Sequence, residues 1–211
     1  MTAQATTRDQ IITRGAALIH SQGFNATGLQ QVLDGAGVPK GSFYFYFKSK
    51  EEFGLAIIDR FADVIGALFS RALDVPGVPA LERLGRLLDT YERIFVKSGF
   101  TLGCPIGNLS LEMADSSERF RARLQEVIGS LIARIESCLA EAKSAGALSP
   151  SCDTAESAHL LFQGLEGAIL QMKVTKSVEP LRLFRKYISI YLPGAAPAGR
   201  GAAKNIGKGV S

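Results

Sequence analysis

Residues 27–50 constrain this chain more than any other stretch, because they read as two short helices joined by a tight turn, with no acid between Asp34 and Glu51. Leu29, Val32, Leu33 and Ala36 fall at i, i+3, i+4 and i+7, which puts one apolar stripe on a short helix expected to be capped by Thr27. Gly35-Ala36-Gly37 supplies residues that turn tightly or let backbones approach, as two short packed helices require. Pro39 suits the first position of the second helix, where its missing N–H costs nothing. In that helix Phe43 and Phe47 are one turn apart and are expected in the core. The remaining arc carries Lys40, Gly41, Ser42, Tyr44, Phe45 and Tyr46, with Lys48 and Lys50 at its end. This surface suits a major groove: short polar side chains and apolar contact with thymine methyls read bases, while Lys, Tyr and Ser hold phosphates. Phe45 lies about 200° from Phe43 on a helical wheel, so contact with a thymine methyl or a sugar is expected of it.

Residues 8–61 resemble the DNA-binding region of the TetR family of transcriptional repressors. The resemblance is carried by Gly23-Phe24, Thr27, Ala36-Gly37-Val38 and the run Lys40-Gly41-Ser42-Phe43-Tyr44-Phe45-Tyr46-Phe47-Lys48-Ser49-Lys50. It implies base or near-base contacts from Gln30, Lys40, Gly41, Ser42 and Tyr44, and phosphate contacts from Thr27, Tyr46 and Lys50. Position 46 is often His in the family, and Phe45 is less polar than is usual there.

Charge placement fits a specific binder of double-stranded operator DNA rather than a general polyanion binder. The net charge is +4, of which one unit lies in residues 1–60, none in 61–192 and three in 193–211. Cys104, Cys138 and Cys152 include no C-x-x-C pair, which argues against a disulfide scaffold or a structural zinc site. No cofactor and no metal is expected. No apolar run approaches the ~18 residues of a membrane span, and the polar opening of the chain carries no export pattern, so a cytoplasmic protein without membrane contact is expected.

The rest reads as helices, with nothing resembling a strand. A helix over 7–22 completes a three-helix DNA-binding unit, with His20 as a surface or capping group. A long helix runs from 49 or 50 to about 73, striped by Phe53, Ile57, Phe61, Val64 and Leu68, and joins the units without a linker. Further helices are expected at about 80–98, 105–114, 117–145, 153–174 and 180–191, with Asp115-Ser116-Ser117-Glu118 as a capping box for the one at 117–145 and Asp153 with Glu156 for the next. The expected architecture is all-α: a helix-turn-helix domain (1–50), a helical effector-binding and dimerisation domain (51–192) and a disordered basic tail (193–211) with Arg200, Lys204 and Lys208.

In the last two helices the small residues Ala158, Gly164, Gly167 and Ala168 alternate with large ones, a pattern suited to a four-helix interface across a two-fold axis. The interface is expected at Ala158, Leu161, Leu165, Gly167, Ala168, Phe184 and Ile188. The family resemblance, in which these helices dimerise, implies a homodimer on a palindromic operator.

Cys104 is the candidate sensor. Pro105 fits a first helical position, so the thiol sits at or beside an N-cap, where free N–H groups and the helix dipole favour thiolate. Gly103 and Gly107 are expected to leave room around it, and Asn108 to hydrogen-bond a carbonyl or an oxyanion. Tyr91, Phe95, Met113, Phe162 and Glu166 are candidates for the surrounding pocket. Gly103-Cys104-Pro105-Ile106-Gly107-Asn108-Leu109 resembles a motif in a branch of the TetR family that includes repressors sensing electrophiles through a cysteine. Cys138 and Cys152 have no such helix N-terminus. The expected function is therefore a homodimeric repressor, not an enzyme, released by a small-molecule effector. Covalent sensing at Cys104 and purely noncovalent binding both stand open, with a Cys104 nucleophile served by a His159 base as the remote alternative.

Overall fold

The computed structural model describes residues 6–192; the basic tail lies outside them. The chain forms α1 (Thr7–Gln22), α2 (Leu29–Ala36), α3 (Phe43–Tyr46), α4 (Lys50–Leu73), α5 (Ala80–Lys97), α6 (Pro105–Met113), α7 (Glu118–Ser144), α8 (Thr154–Thr175) and α9 (Glu179–Tyr191). A 3-10 turn, Lys40–Ser42, precedes α3, and no strand occurs among the described residues. The architecture is all-α, as the periodicity predicts.

The first three helices make one unit around an aromatic core. Phe43, Phe47 and Phe53 stand 5.3–5.7 Å apart, centroid to centroid, and fasten the recognition segment onto the start of α4. Gly37 has a left-handed φ of 68° at the end of α2, so the turn between the two short helices demands glycine there. α1 begins with a capping box in which Thr6 Oγ1 accepts from the Asp9 N–H at 3.2 Å and the Asp9 carboxylate accepts from the Thr6 N–H at 3.2 Å.

α4 leaves this unit and crosses the rest of the molecule. Ser49 caps it, its Oγ accepting from the Glu52 N–H at 3.1 Å. Its far half buries Ile65, Phe69, Ala72 and Leu73, while Val64 is 49% exposed, against the expected stripe through Val64 and Leu68. The helix packs on α1, α5 and α6 and, from Glu51 to Ser70, on α7, so its buried face rotates instead of following one i+3/i+4 line.

Arg83 on α5, which the stripe reading passed over, is buried and donates to the Leu73 carbonyl at the end of α4 and to Glu141 on α7. It ties three helices at one point.

One capping expectation changes and one holds. α7 is capped by Ser117 instead of Asp115: Ser117 Oγ accepts from the Phe120 N–H at 3.4 Å and donates to Glu51 on α4 at 2.5 Å. A hydroxyl serves both bonds, which a carboxylate cannot. Asp153 caps α8 as expected, accepting from the Glu156 N–H at 2.9 Å.

The small residues of α8 do much of their work inside the subunit. Ala158, Leu165 and Ala168 are buried in the core, so these expected interface positions face inward. A Cβ on Gly164 would lie 2.3 Å from the Phe184 ring, showing that glycine lets α9 close onto α8 within one chain. Leu161, Phe184 and Ile188 are half-buried against the same core. The outer faces instead expose Leu160, Leu170 and Val174 on α8 and Leu183 and Ile190 on α9. Gly167 stays on the outer stripe, between Leu160 and Val174 at seven-residue spacing.

Candidate functional site

The recognition segment is a 3-10 turn followed by a single α-turn, not one continuous helix opened by Pro39. Pro39 precedes the turn, and its carbonyl accepts from the Ser42 N–H at 2.9 Å. Lys40, Gly41, Tyr44 and Phe45 are exposed, Ser42 and Tyr46 half-buried, and Phe45 is the most open at 84%. Gln30 is exposed on the neighbouring α2, its amide donating to Asp34 at 2.5 Å. The Lys50 ammonium lies 4.8 Å from the centre of the Phe24 ring at the edge of this surface.

Thr27 departs from expectation. It is 3% exposed, its hydroxyl donates to the Gly23 carbonyl at 2.6 Å, and Gly28 occupies the cap of α2. Its side chain holds the turn after α1 closed, out of reach of a phosphate.

Two long-range contacts join this unit to α6. His20 Nε2–H donates to the Gly103 carbonyl at 2.8 Å, so His20 is a half-buried interdomain group and not a surface cap. Burial holds the imidazole below its ordinary pKa, with the Gly103 carbonyl opposing that shift and Lys173 adding to it. At the other end of α6, Glu112 accepts from the backbone N–H groups of Phe24 at 2.8 Å and Asn25 at 2.6 Å. Single-sequence reasoning missed both because each joins positions more than eighty residues apart.

Cys104 occupies the N-cap of α6, with Pro105 in the first turn, and its Sγ accepts from the Gly107 N–H at 3.4 Å. The position agrees with the sequence reading; the acidity does not. The residue is 6% exposed, and burial, followed by the nearby Glu166, pushes the thiol well above the ordinary cysteine range, outweighing the Gly107 N–H. Cys138, whose thiol donates to the Ala80 carbonyl at 3.2 Å, is also raised by burial, to about 11.

Cys104 stands on the wall between two cavities. One, of about 440 Å³, is bordered by Cys104, Asn108, Phe162, Glu166 and Lys173; the other, of about 300 Å³, by His20, Tyr91, Phe95 and again Cys104. The predicted lining residues thus divide: Asn108, Phe162 and Glu166 on one side, Tyr91 and Phe95 on the other. Met113 borders neither and is buried at the end of α6. Lys173 was missed, although its spacing of seven from Glu166 along α8 places it on the same face.

The glycines beside the thiol do not hold open space. A Cβ on Gly107 would lie 2.5 Å from Glu166 Oε2, and one on Gly103 2.8 Å from Asn108 Oδ1, so both let polar side chains close on the backbone. Glu166 thus stands beside Cys104 across Gly107, and burial raises its pKa. His159 is exposed at the start of α8 and borders neither cavity with Cys104, so the nucleophile–base pair of the enzyme alternative is not assembled.

An exposed basic and aromatic helix-turn-helix, tied by short polar links to a helix that begins in a cavity wall, defines a DNA-binding regulator with an effector-type domain. Residues 11–57 match the family described as bacterial regulatory proteins, tetR family, and residues 80–188 match the tetracyclin repressor-like C-terminal domain. The chain is 34% identical over 176 residues to the transcriptional regulator AcuR of Cereibacter sphaeroides, covering 83% of this chain and 80% of the relative. It is 32% identical over 178 residues to the HTH-type transcriptional repressor NemR of Escherichia coli, covering 83% and 88%. Among solved structures, the regulatory protein TetR from Rhodobacter sphaeroides superposes with a TM-score of 0.83 at 32% identity, over 89% of this chain and 99% of that one. The reduced form of E. coli NemR superposes with a TM-score of 0.80 at 29% identity, over 90% and 100%. The chain belongs to the TetR family of transcriptional regulators, whose members are regulators and not enzymes. Among the described residues no helix is long and apolar enough to cross a membrane.

Proposed function

We propose that this TetR-family repressor binds a palindromic operator as a homodimer and lets go when a small electrophile modifies Cys104. The observation that carries the proposal is the attachment of α6. Its first turn contains Cys104, and hydrogen bonds from both of its ends, through Gly103 and Glu112, reach the DNA-binding unit. An adduct on the buried thiol must be seated in the wall that Cys104 shares with both cavities, so α6 shifts and the bonds to α1 and its following turn shift with it. Release follows only to the extent that the modified protein favours the arrangement that cannot hold DNA. Kinship with NemR, solved in a reduced form, supports a thiol-based reading. Homodimerisation is assigned to the outer faces of α8 and α9, where Leu160, Leu170, Val174, Leu183 and Ile190 are exposed among the described residues.

Treating operator-bound protein with N-ethylmaleimide is expected to release the DNA, with Cys104 modified ahead of Cys138 and Cys152. Cys104→Ser is expected to bind DNA and resist release; unchanged release from that variant refutes the covalent reading. A noncovalent reading draws support from the 300 Å³ cavity bordered by Tyr91 and Phe95. Under it, Cys104→Ser responds to the natural effector as the unaltered protein does.

A further inference from the structure

We infer that Glu166 is the general base that takes the proton from Cys104 as the thiol adds to an electrophile. This deepens the covalent reading above and rests on it.

Three observations meet at one point. Glu166 reaches across Gly107, where a Cβ would lie 2.5 Å from its Oε2, and so arrives on the Sγ side of the N-cap. That same point lies 3.5 Å from the Cys104 Cβ, so carboxylate and cysteine flank one glycine, and both groups border the same 440 Å³ cavity. No ion pair is made by Glu166 among the described residues, although a carboxylate in an apolar wall is expensive to keep without a cation. The Cys104 thiol is the proton donor across Gly107 from it. The other titratable groups around the cysteine are His20 from α1, Arg60 from α4, Tyr91 from α5 and Lys173 from α8. None of them has a hydrogen bond to Sγ.

The chemistry needs such a group. Burial keeps Cys104 protonated at neutral pH, so hardly any free thiolate is present to react. Addition to an activated alkene is then carried by proton transfer from the thiol to the carboxylate beside it. The Sγ–H proton passes to Glu166, the sulfur pair forms an S–C bond at one alkene carbon, and the π pair moves to the neighbouring carbon as an enolate. The Glu166 carboxylic acid returns the proton to that carbon. The sum is a thiol added across a C=C bond, with nothing oxidised or reduced. The class of ligand follows: a small, uncharged α,β-unsaturated carbonyl compound, because an anionic one would meet the Glu166 carboxylate.

The role separates from an electrostatic one by sign. Glu166 also raises the thiol through its charge, so a group acting by charge alone would hinder thiolate formation, and Glu166→Gln would speed alkylation. A general base gives the opposite result. The rate of N-ethylmaleimide addition at Cys104, followed by mass spectrometry from pH 6 to 8, is expected to fall about a hundredfold in Glu166→Gln at pH 7. Glu166→Asp should fall between, and Glu156→Gln, at an exposed carboxylate on the same helix, should match the unaltered protein. The unaltered protein should level off once Glu166 is ionised, whereas Glu166→Gln should gain about tenfold per pH unit as free thiolate takes over. Equal or faster labelling in Glu166→Gln overturns the assignment, as does an equal loss of rate in Glu156→Gln. Melting temperature checks that each variant folds; if Glu166→Gln does not, the Asp variant and the pH profile of the unaltered protein decide, and a profile without the plateau overturns the proposal. Labelling of Cys104 that leaves operator DNA bound refutes the sensing function while the base assignment stands. A Cys104 that takes no label refutes both.

Discussion

Glu112 offers the sharpest test of how the effector domain speaks to the DNA. Its carboxylate is the sole described side chain of α6 bonded to the turn after α1, through the Phe24 and Asn25 N–H groups at 2.8 and 2.6 Å. A hydrogen bond to a charged group contributes about 1.5–3 kcal/mol when sheltered and less when open to water. The Phe24 bond is part-buried and the Asn25 bond exposed, so Glu112→Ala should remove about 2–3 kcal/mol of coupling between α6 and the recognition unit. That is a factor of roughly 30 to 150 in an equilibrium constant. The assay is operator affinity by fluorescence anisotropy, with and without N-ethylmaleimide, for the unaltered protein, Glu112→Gln and Glu112→Ala. The ratio of the two affinities is the coupling, and it should shrink by that factor in the Ala variant, or to unity if it starts smaller. The Gln variant keeps one acceptor and should lose about half of the coupling energy. Amide exchange at Phe24 and Asn25 should quicken in parallel. An affinity ratio unchanged by Glu112→Ala would refute transmission through this contact and leave His20–Gly103 and α4 as the routes.

Other outcomes follow from single contacts. Lys50→Ala should weaken binding to all DNA sequences alike and lower the salt slope by ~1, because a phosphate contact releases counterions without reading bases; a change of preferred bases with the slope intact would contradict the role. Phe45→Ala should reduce operator affinity while leaving Tm within about 2 °C, since an exposed side chain carries little stability. Arg83→Ala strands the Leu73 carbonyl and should lower stability by about 2 kcal/mol and Tm by roughly 4–8 °C, measured by calorimetry. His20 has a depressed folded-state pKa, so its contribution is present above the ordinary imidazole value of 6.5 and is lost as pH falls below it. Urea midpoints taken from pH 7.5 down to 5 should therefore decline less steeply in His20→Gln.

The parts of this fold that were legible in the sequence are those fixed by neighbours along the chain. Helical stripes placed α1 to α9, and the Pro39-to-Lys50 run foretold the exposed basic and aromatic surface. Local rules also put Cys104 at an N-cap, because Pro105 and Gly107 sit beside it in the sequence. What local rules could not weigh was burial. Thr27 has the identity of a phosphate contact and the position of a core hydroxyl, and the Cys104 thiol is governed by the wall around it more than by the helix that begins there. Ala158, Leu165 and Ala168 illustrate the same limit: a small residue signals close approach and leaves unsaid whether α9 or another chain approaches. Long-range partners such as Gly103 for His20, or Leu73 for Arg83, leave no periodic trace at all.

The aromatic core under the recognition segment bears on how such a protein changes its target. A 3-10 turn and one α-turn have almost no helical stability of their own, so the segment keeps its shape because Phe43 and Phe47 anchor it to Phe53. The anchors point inward, and the positions expected to meet DNA, Lys40, Tyr44 and Phe45, are exposed with little to lose. Shape and vocabulary are thus written on different residues of one short stretch. A lineage can rewrite the second while the first holds still, so new operators come within reach of single substitutions that leave the fold intact.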